Sequence, residues 1–119
     1  MAKILIIDDE ITLRETISEL LSFKGYDIFQ AENGLQGIHK VKEVEPDLIL
    51  CDIMMPQLDG YGFMTEHMKS NYASIPVVFL SAKAAEVDQN KGIDLGAKAY
   101  IKKPFDFKSL ISVIEKNLE

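Results

Sequence analysis

Five short apolar runs, each followed by a stretch of helical periodicity, constrain this chain more than any other feature. Ile4-Leu5-Ile6-Ile7, Leu48-Ile49-Leu50-Cys51 and Pro76-Val77-Val78-Phe79-Leu80 are continuous, the pattern of strands buried on both faces. Asp27–Ala31 and Ala99–Lys102 read as two further strands. After the first strand, Leu13, Ile17, Leu20, Leu21 and Lys24 recur at helical spacing until Gly25. Leu35, Ile38, Val41 and Val44 form a second stripe, closed by Glu45-Pro46. A third helix is expected over 61–69, with Phe63, Met64 and Met68 apolar. A weak fourth is expected over about 84–95, before Gly96. The last, Phe107–Leu118, has Asp106 as its N-cap and Leu110, Ile111 and Ile114 as its inner face. Strict alternation predicts an α/β fold with a five-stranded parallel sheet, right-handed crossovers and helices on both faces. Residues 1–119 read as one domain, long enough for a core of its own.

Composition narrows the function classes. Thirteen basic against nineteen acidic side chains give a net charge of −6, which argues against direct nucleic-acid binding. The apolar runs are far too short to span a bilayer, so no membrane role is expected. The single cysteine, Cys51, excludes a disulfide framework and a cysteine-rich zinc site. It fits a reducing compartment, and the expected location is cytoplasmic.

In open α/β sheets, ligands bind beyond the carboxyl ends of the strands, near the point where the strand order reverses. The first strand delivers Asp8, Asp9 and Glu10 there, the third Asp52, the fourth Ser81 and the fifth Lys103. The second strand ends at Ala31-Glu32 without comparable chemistry. A strand order of 2-1-3-4-5 brings the other four ends together. Converging carboxylates raise one another's pKa and call for a counter-charge. Mg²⁺ suits them, since it takes oxygen ligands and works with one or two carboxylates plus a phosphate. An ammonium and a hydroxyl beside them suit a phosphoryl group. The combination reads as metal-assisted phosphoryl chemistry.

These residues carry a resemblance. The segment Asp52-Ile53-Met54-Met55-Pro56-Gln57-Leu58-Asp59-Gly60 resembles the signature loop of response-regulator receiver domains of two-component signalling. Asp8-Asp9, Ser81-Ala82 and Lys103-Pro104-Phe105 resemble that family's other motifs, in order and at similar spacing. The resemblance implies that Asp52 accepts a phosphoryl group from a phosphohistidine on a sensor histidine kinase or phosphotransfer protein. It implies Mg²⁺ bound by Asp9, Asp52 and the backbone carbonyl of Met54, with Asp8 acting through water. Lys103 and Ser81 would contact the phosphate, and Tyr100 would be the aromatic that changes rotamer. Phosphoryl lifetime would depend partly on Met54 and Lys83. The family's winged-helix regulators carry acidic residues just before that aromatic, where this chain has Lys98 and Ala99.

Movement of Ser81 toward the phosphate would vacate space for the Tyr100 ring. The fourth helix, poor in large apolar residues and containing Gly92, is the element expected to shift. The output face would then be the fourth helix, fifth strand and fifth helix, around Lys91, Tyr100 and Phe107, offered to an effector or a second copy of the chain. The protein would be a switch, catalytic only in its own phosphorylation and dephosphorylation. A haloacid-dehalogenase-type phosphohydrolase would place its nucleophile after the first strand in an Asp-x-Asp pattern and would need a cap domain. A flavodoxin-type carrier would need a Ser/Thr/Gly-rich loop where this chain has acids. A receiver degenerated to a binding module would lack a key residue, and none is missing.

Other positions take plainer readings. Asp8 or Asp9 helps cap the first helix, and Asp59 and Gly60 open the third. Cys51 is a buried packing residue. His39 and His67 are expected at the surface, as is Lys102. Met54 and Met55 are expected to border the pocket. Ile11 lies off the stripe of the first helix and is expected to be exposed beside the acids, where a kinase helix could bury it.

Overall fold

The computed structural model describes residues 2–82 and 86–118; side chains 86–89 are not described. Lys83 and the expected start of the fourth helix at Ala84 lie outside the described residues. The elements are β1 (Lys3–Ile7), α1 (Ile11–Phe23), β2 (Asp27–Ala31), α2 (Gly34–Val44), β3 (Leu48–Asp52), α3 (Gly60–Met68), β4 (Val77–Ser81), α4 (Glu86–Asp94), β5 (Ala99–Lys102) and α5 (Phe107–Leu118). The sheet is entirely parallel, in the order β2-β1-β3-β4-β5. The chain leaves β1 toward one edge and returns past it to β3, so the reversal lies between β1 and β3. Among the described residues no helix is long and apolar enough to cross a membrane.

Alternation within the three inner strands divides the core. Leu5, Ile7, Ile49, Cys51, Val77 and Phe79 face Val41 of α2 and Phe63 and Met64 of α3. Ile4, Ile6, Leu48, Leu50, Val78 and Leu80 face Ile17 and Leu21 of α1 and Leu110 and Ile114 of α5. Continuous apolar runs are required because both faces of the sheet are covered.

Helix ends follow the expected chemistry. The Asn33, Asp59 and Asp106 carboxyl or amide oxygens accept from the backbone N–H groups of Gln36, Gly62 and Ser109. Glu45 closes α2 in the left-handed region at φ 51°.

The helix faces differ in part from the sequence stripes. Leu20, Leu35 and Met68 are exposed. On α1 the buried set is Arg14, Ile17, Ser18 and Leu21, and on α2 it is Gly34, Gly37 and Val41. Gly37 lets Ile7 and Phe63 fill the place a side chain would take, which rotates Leu35 outward. His67, expected at the surface, is buried. It stacks on Phe63 with centroids 5.5 Å apart, and its Nε2 lies 3.0 Å from the Ile75 carbonyl oxygen. That contact ties the last turn of α3 to the approach to β4, and burial lowers the pKa of the ring.

Candidate functional site

The carboxyl ends of β1 and β3 bring Asp8, Asp9 and Asp52 together. One oxygen from each lies within 4.8 Å of the others. Asp8 is fully buried, Asp52 is 7% exposed and Asp9 is exposed. Lys103, just past β5, reaches into the same place. Its Nζ lies 3.2 Å from Asp8 Oδ2 and 3.5 Å from Asp52 Oδ1. The loop carrying it is anchored by the Lys103 N–H, which donates to the Ser81 carbonyl at 2.8 Å. Ser81 is fully buried at the end of β4, one residue beyond the strand partner of Asp52.

Asp52 is the last residue of β3, not the first of a loop. Its Oδ1 accepts from the Ile53 N–H at 2.8 Å. Burial is the largest influence on its carboxyl and raises the pKa; Asp8 and Asp9 raise it further, while Lys103 and the Ile53 N–H oppose the shift. The balance moves it from 3.8 up to about 6. A carboxyl lifted this way, beside two more carboxylates, is a donor set that fits a hard divalent cation. An open cleft of about 420 Å³ adjoins the acids, lined by Asp9, Met54, Met55, Asp59 and Tyr61 among others. Met54 is exposed there and Met55 is nearly buried.

Gly60 explains how the loop after Asp52 folds back so tightly. A Cβ at this position would meet the Asp52 carbonyl oxygen at 2.5 Å and Ile53 Cα at 2.8 Å. Only a residue without a side chain lets α3 begin there, and its N–H donates to the Ile53 carbonyl at 2.8 Å.

A family described as the response regulator receiver domain matches residues 4–115. The chain belongs to that family. Among curated proteins, the receiver is 41% identical over 108 residues to a probable transcriptional regulator of Porphyridium aerugineum, covering 91% of this chain and 44% of the relative. It is 38% identical over 115 residues to the CpxR homolog of Haemophilus influenzae, covering 97% of this chain and 49% of the relative. The chain thus spans about half the length of these curated relatives. Among solved structures, the receiver domain of Francisella response regulator 1452 is 28% identical, with a TM-score of 0.94 over 99% of this chain and 97% of that one. The chemotaxis protein CheY4 of Vibrio cholerae is 29% identical, with a TM-score of 0.91 over 98% of each chain.

On the far side of β3 the receiver is built differently. Gly92 is the one buried residue among 90–94 of α4. A Cβ there would meet the Phe79 ring at 2.8 Å and Tyr100 Cδ2 at 3.6 Å. Lys91 Nζ sits 4.4 Å from the centroid of the Tyr61 ring, which meets Phe79 edge-on at 6.0 Å. Tyr100, half-buried, is the strand partner of Phe79. Lys91, Gly92 and Tyr100 therefore share one small aromatic seat.

Behind the acids stand two residues that the sequence motifs do not mark. Arg14, on the buried face of α1, donates through Nη1 to the Asp8 carbonyl at 2.6 Å and through Nε to Gln30 Oε1 at 2.8 Å. β2, whose end carries no comparable chemistry, supplies Gln30 and also the Ala31 carbonyl that accepts from the Asp8 N–H at 3.1 Å. An arginine between Leu13 and Ile17 in an apolar stripe was the available signal. Capping by the acids takes an indirect form. Glu10 is the N-cap residue of α1 without a side-chain cap bond, while Asp8 Oδ1 accepts from the Glu10 N–H at 2.9 Å.

Proposed function

We propose that residues 1–119 work as a single receiver domain that takes a phosphoryl group onto Asp52 from the phosphohistidine of a sensor histidine kinase or phosphotransfer protein. The convergence of Asp8, Asp9, Asp52 and Lys103 is the observation that carries this reading. An oxygen of Asp52 bonds to phosphorus as the bond from phosphorus to the donor imidazole nitrogen breaks. The nitrogen keeps that electron pair and takes a proton from solvent. Oδ1 is engaged by the Ile53 N–H and faces Lys103, which leaves Oδ2 as the attacking oxygen. Hydrolysis reverses the modification: water adds to phosphorus, the carboxylate leaves and inorganic phosphate departs. No other turnover is proposed.

Mg²⁺ held by Asp9, Asp52 and the Met54 backbone carbonyl, with Asp8 acting through water, would neutralise charge on the transferring group. Lys103 and the Ser81 hydroxyl then hold the phosphoryl oxygens, and Tyr100 turns as the Ser81 loop moves. The α4, β5 and α5 face becomes the surface for an effector or a second copy of the chain. At the start of α1, next to the α5 edge of that face, Ile11 is 57% exposed close to Asp9. An apolar cavity of about 430 Å³ lies nearby, lined by Leu13, Ile17, Leu20, Phe105 and Phe107 among others. A helix of the donor docks there. The proposed setting is the cytoplasm, without direct nucleic-acid or membrane binding by this domain.

Acetyl phosphate with Mg²⁺ tests the proposal without a kinase. The protein should gain the mass of one phosphate as a hydroxylamine-labile acyl phosphate, and Asp52→Ala should gain none. Equal modification of Asp52→Ala would refute Asp52 as the acceptor.

A further inference from the structure

Arg14 is only 6% exposed, on a helix face otherwise made of Ile17, Ser18 and Leu21. A buried charge is costly unless the geometry compensates it. Here both hydrogen-bonding partners are uncharged: the Asp8 carbonyl at 2.6 Å and the Gln30 side-chain amide oxygen at 2.8 Å. The guanidinium is therefore bonded to the backbone of a residue of the acidic cluster, not to a carboxylate.

The carbonyl it holds belongs to the peptide that joins Asp8 to Asp9. Asp8 is engaged at every polar group. Its N–H donates to Ala31, Oδ1 accepts from Glu10, and Oδ2 faces Lys103. Asp9 is different. It is exposed, and among the described residues no hydrogen bond holds its carboxylate. What directs that carboxylate toward Asp8 and Asp52 is the peptide from which it hangs. Arg14 fixes that peptide, and Gln30 fixes the plane of the guanidinium fork.

We propose that Arg14, oriented by Gln30, is a positioning residue for the divalent-cation site, aiming Asp9 through the Asp8–Asp9 peptide. This rests on the Mg²⁺ reading above and adds to it the residues that set the site's affinity. Arg14 touches neither the cation nor the phosphoryl group; it acts through the backbone of the residue before Asp9.

Calorimetric titration of Mg²⁺ into the wild type, Arg14→Gln, Arg14→Lys and Gln30→Ala tests this, at a temperature where circular dichroism shows each to be folded. Loss of a residue that orients a metal ligand costs about ten- to a hundredfold in affinity, the range expected for Arg14→Gln. Arg14→Lys keeps the charge but has no second prong, and falls between Arg14→Gln and the wild type. Gln30 is exposed, so Gln30→Ala spares the core, and a weakening of about two- to threefold is expected from its indirect role. In acetyl phosphate assays the loss should appear in the Mg²⁺ half-saturation rather than in the rate at saturating Mg²⁺, a split that general loosening does not produce. If the wild type binds no Mg²⁺, the metal reading itself fails. If the wild type binds and folded Arg14→Gln binds equally well, this inference alone is overturned. Should Arg14→Gln not fold, Gln30→Ala decides, and unchanged affinity there overturns it.

Discussion

Among the described residues, the two flanks of β3 show different contacts. Toward β1, polar bonds fix the chain: each polar group of Asp8 has a partner, and Arg14 and Gln30 brace its peptide. Toward β4, Gly92 of α4 lies against the Phe79 ring and Lys91 over the Tyr61 ring. The first arrangement resists displacement because several directional bonds must break together. Among the described residues the second shows van der Waals contact at Gly92 and a cation–π pair at Lys91, each of modest strength. A switch needs both, with a fixed place where charge arrives and a neighbouring element that a small energy can move.

Three substitutions probe that contrast. The largest effect is expected from Gly60→Ala, at the end of β3 where the acids converge. Its Cβ would press on the backbone of Asp52 and Ile53, which cannot rotate away. A loss of about 2–3 kcal/mol in urea unfolding is expected, with weaker Mg²⁺ binding as the Asp52 peptide shifts. A neutral result would show that the loop yields as readily as the seat of α4.

Asp52→Asn comes next, in the opposite direction. The folded pKa of Asp52 is raised to about 6 from 3.8, so the folded state favours the protonated form. The wild type carries no penalty below pH 3.8 and loses stability as the pH rises through 6. Without metal, the asparagine variant should therefore be more stable at pH 7, by about 1–2 kcal/mol after allowance for solvent screening, and the gain should vanish near pH 4. His67 has the opposite sign, since its neutral form is favoured in the fold, but it is common to both proteins and cancels in the difference. A difference that does not vary with pH would contradict the crowding of acids described here.

The smallest effect is expected from Gly92→Ala. The new methyl meets a side-chain ring rather than backbone, and alanine favours the helix by about 1 kcal/mol over glycine. Net stability should stay within about 1 kcal/mol of the wild type, read by thermal unfolding. A loss as large as that of Gly60→Ala would erase the distinction between the two flanks.

The same contrast explains what was legible in the sequence. The strands were readable because burial on both faces leaves a continuous apolar run. The acids and Lys103 were readable because a parallel sheet delivers all its strand ends to one edge. Helix faces were less so. Leu35 points outward because Gly37 yields its place to Ile7 and Phe63, and a glycine in a stripe does not announce which side chains will fill it. Arg14 and Gln30 escaped because their bond joins α1 to β2 across sixteen positions, and neither residue type is distinctive alone. His67 escaped because its partner is a backbone carbonyl eight residues on, which no side-chain pattern encodes.

Cys51 carries one more consequence. It is the only thiol in the chain, fully buried in the middle strand, with Sγ 3.2 Å from the Asp52 carbonyl oxygen. Burial raises its pKa well above the ordinary thiol value, and the carboxylates of Asp52, Asp8 and Asp59 add to the effect. An alkylating reagent needs access and a thiolate, and the closed fold denies both. The speed of labelling therefore measures how often the centre of the sheet opens. Since this stopwatch stands next to Asp52, it can time how far a cation or a phosphoryl group slows that opening, without any engineered cysteine.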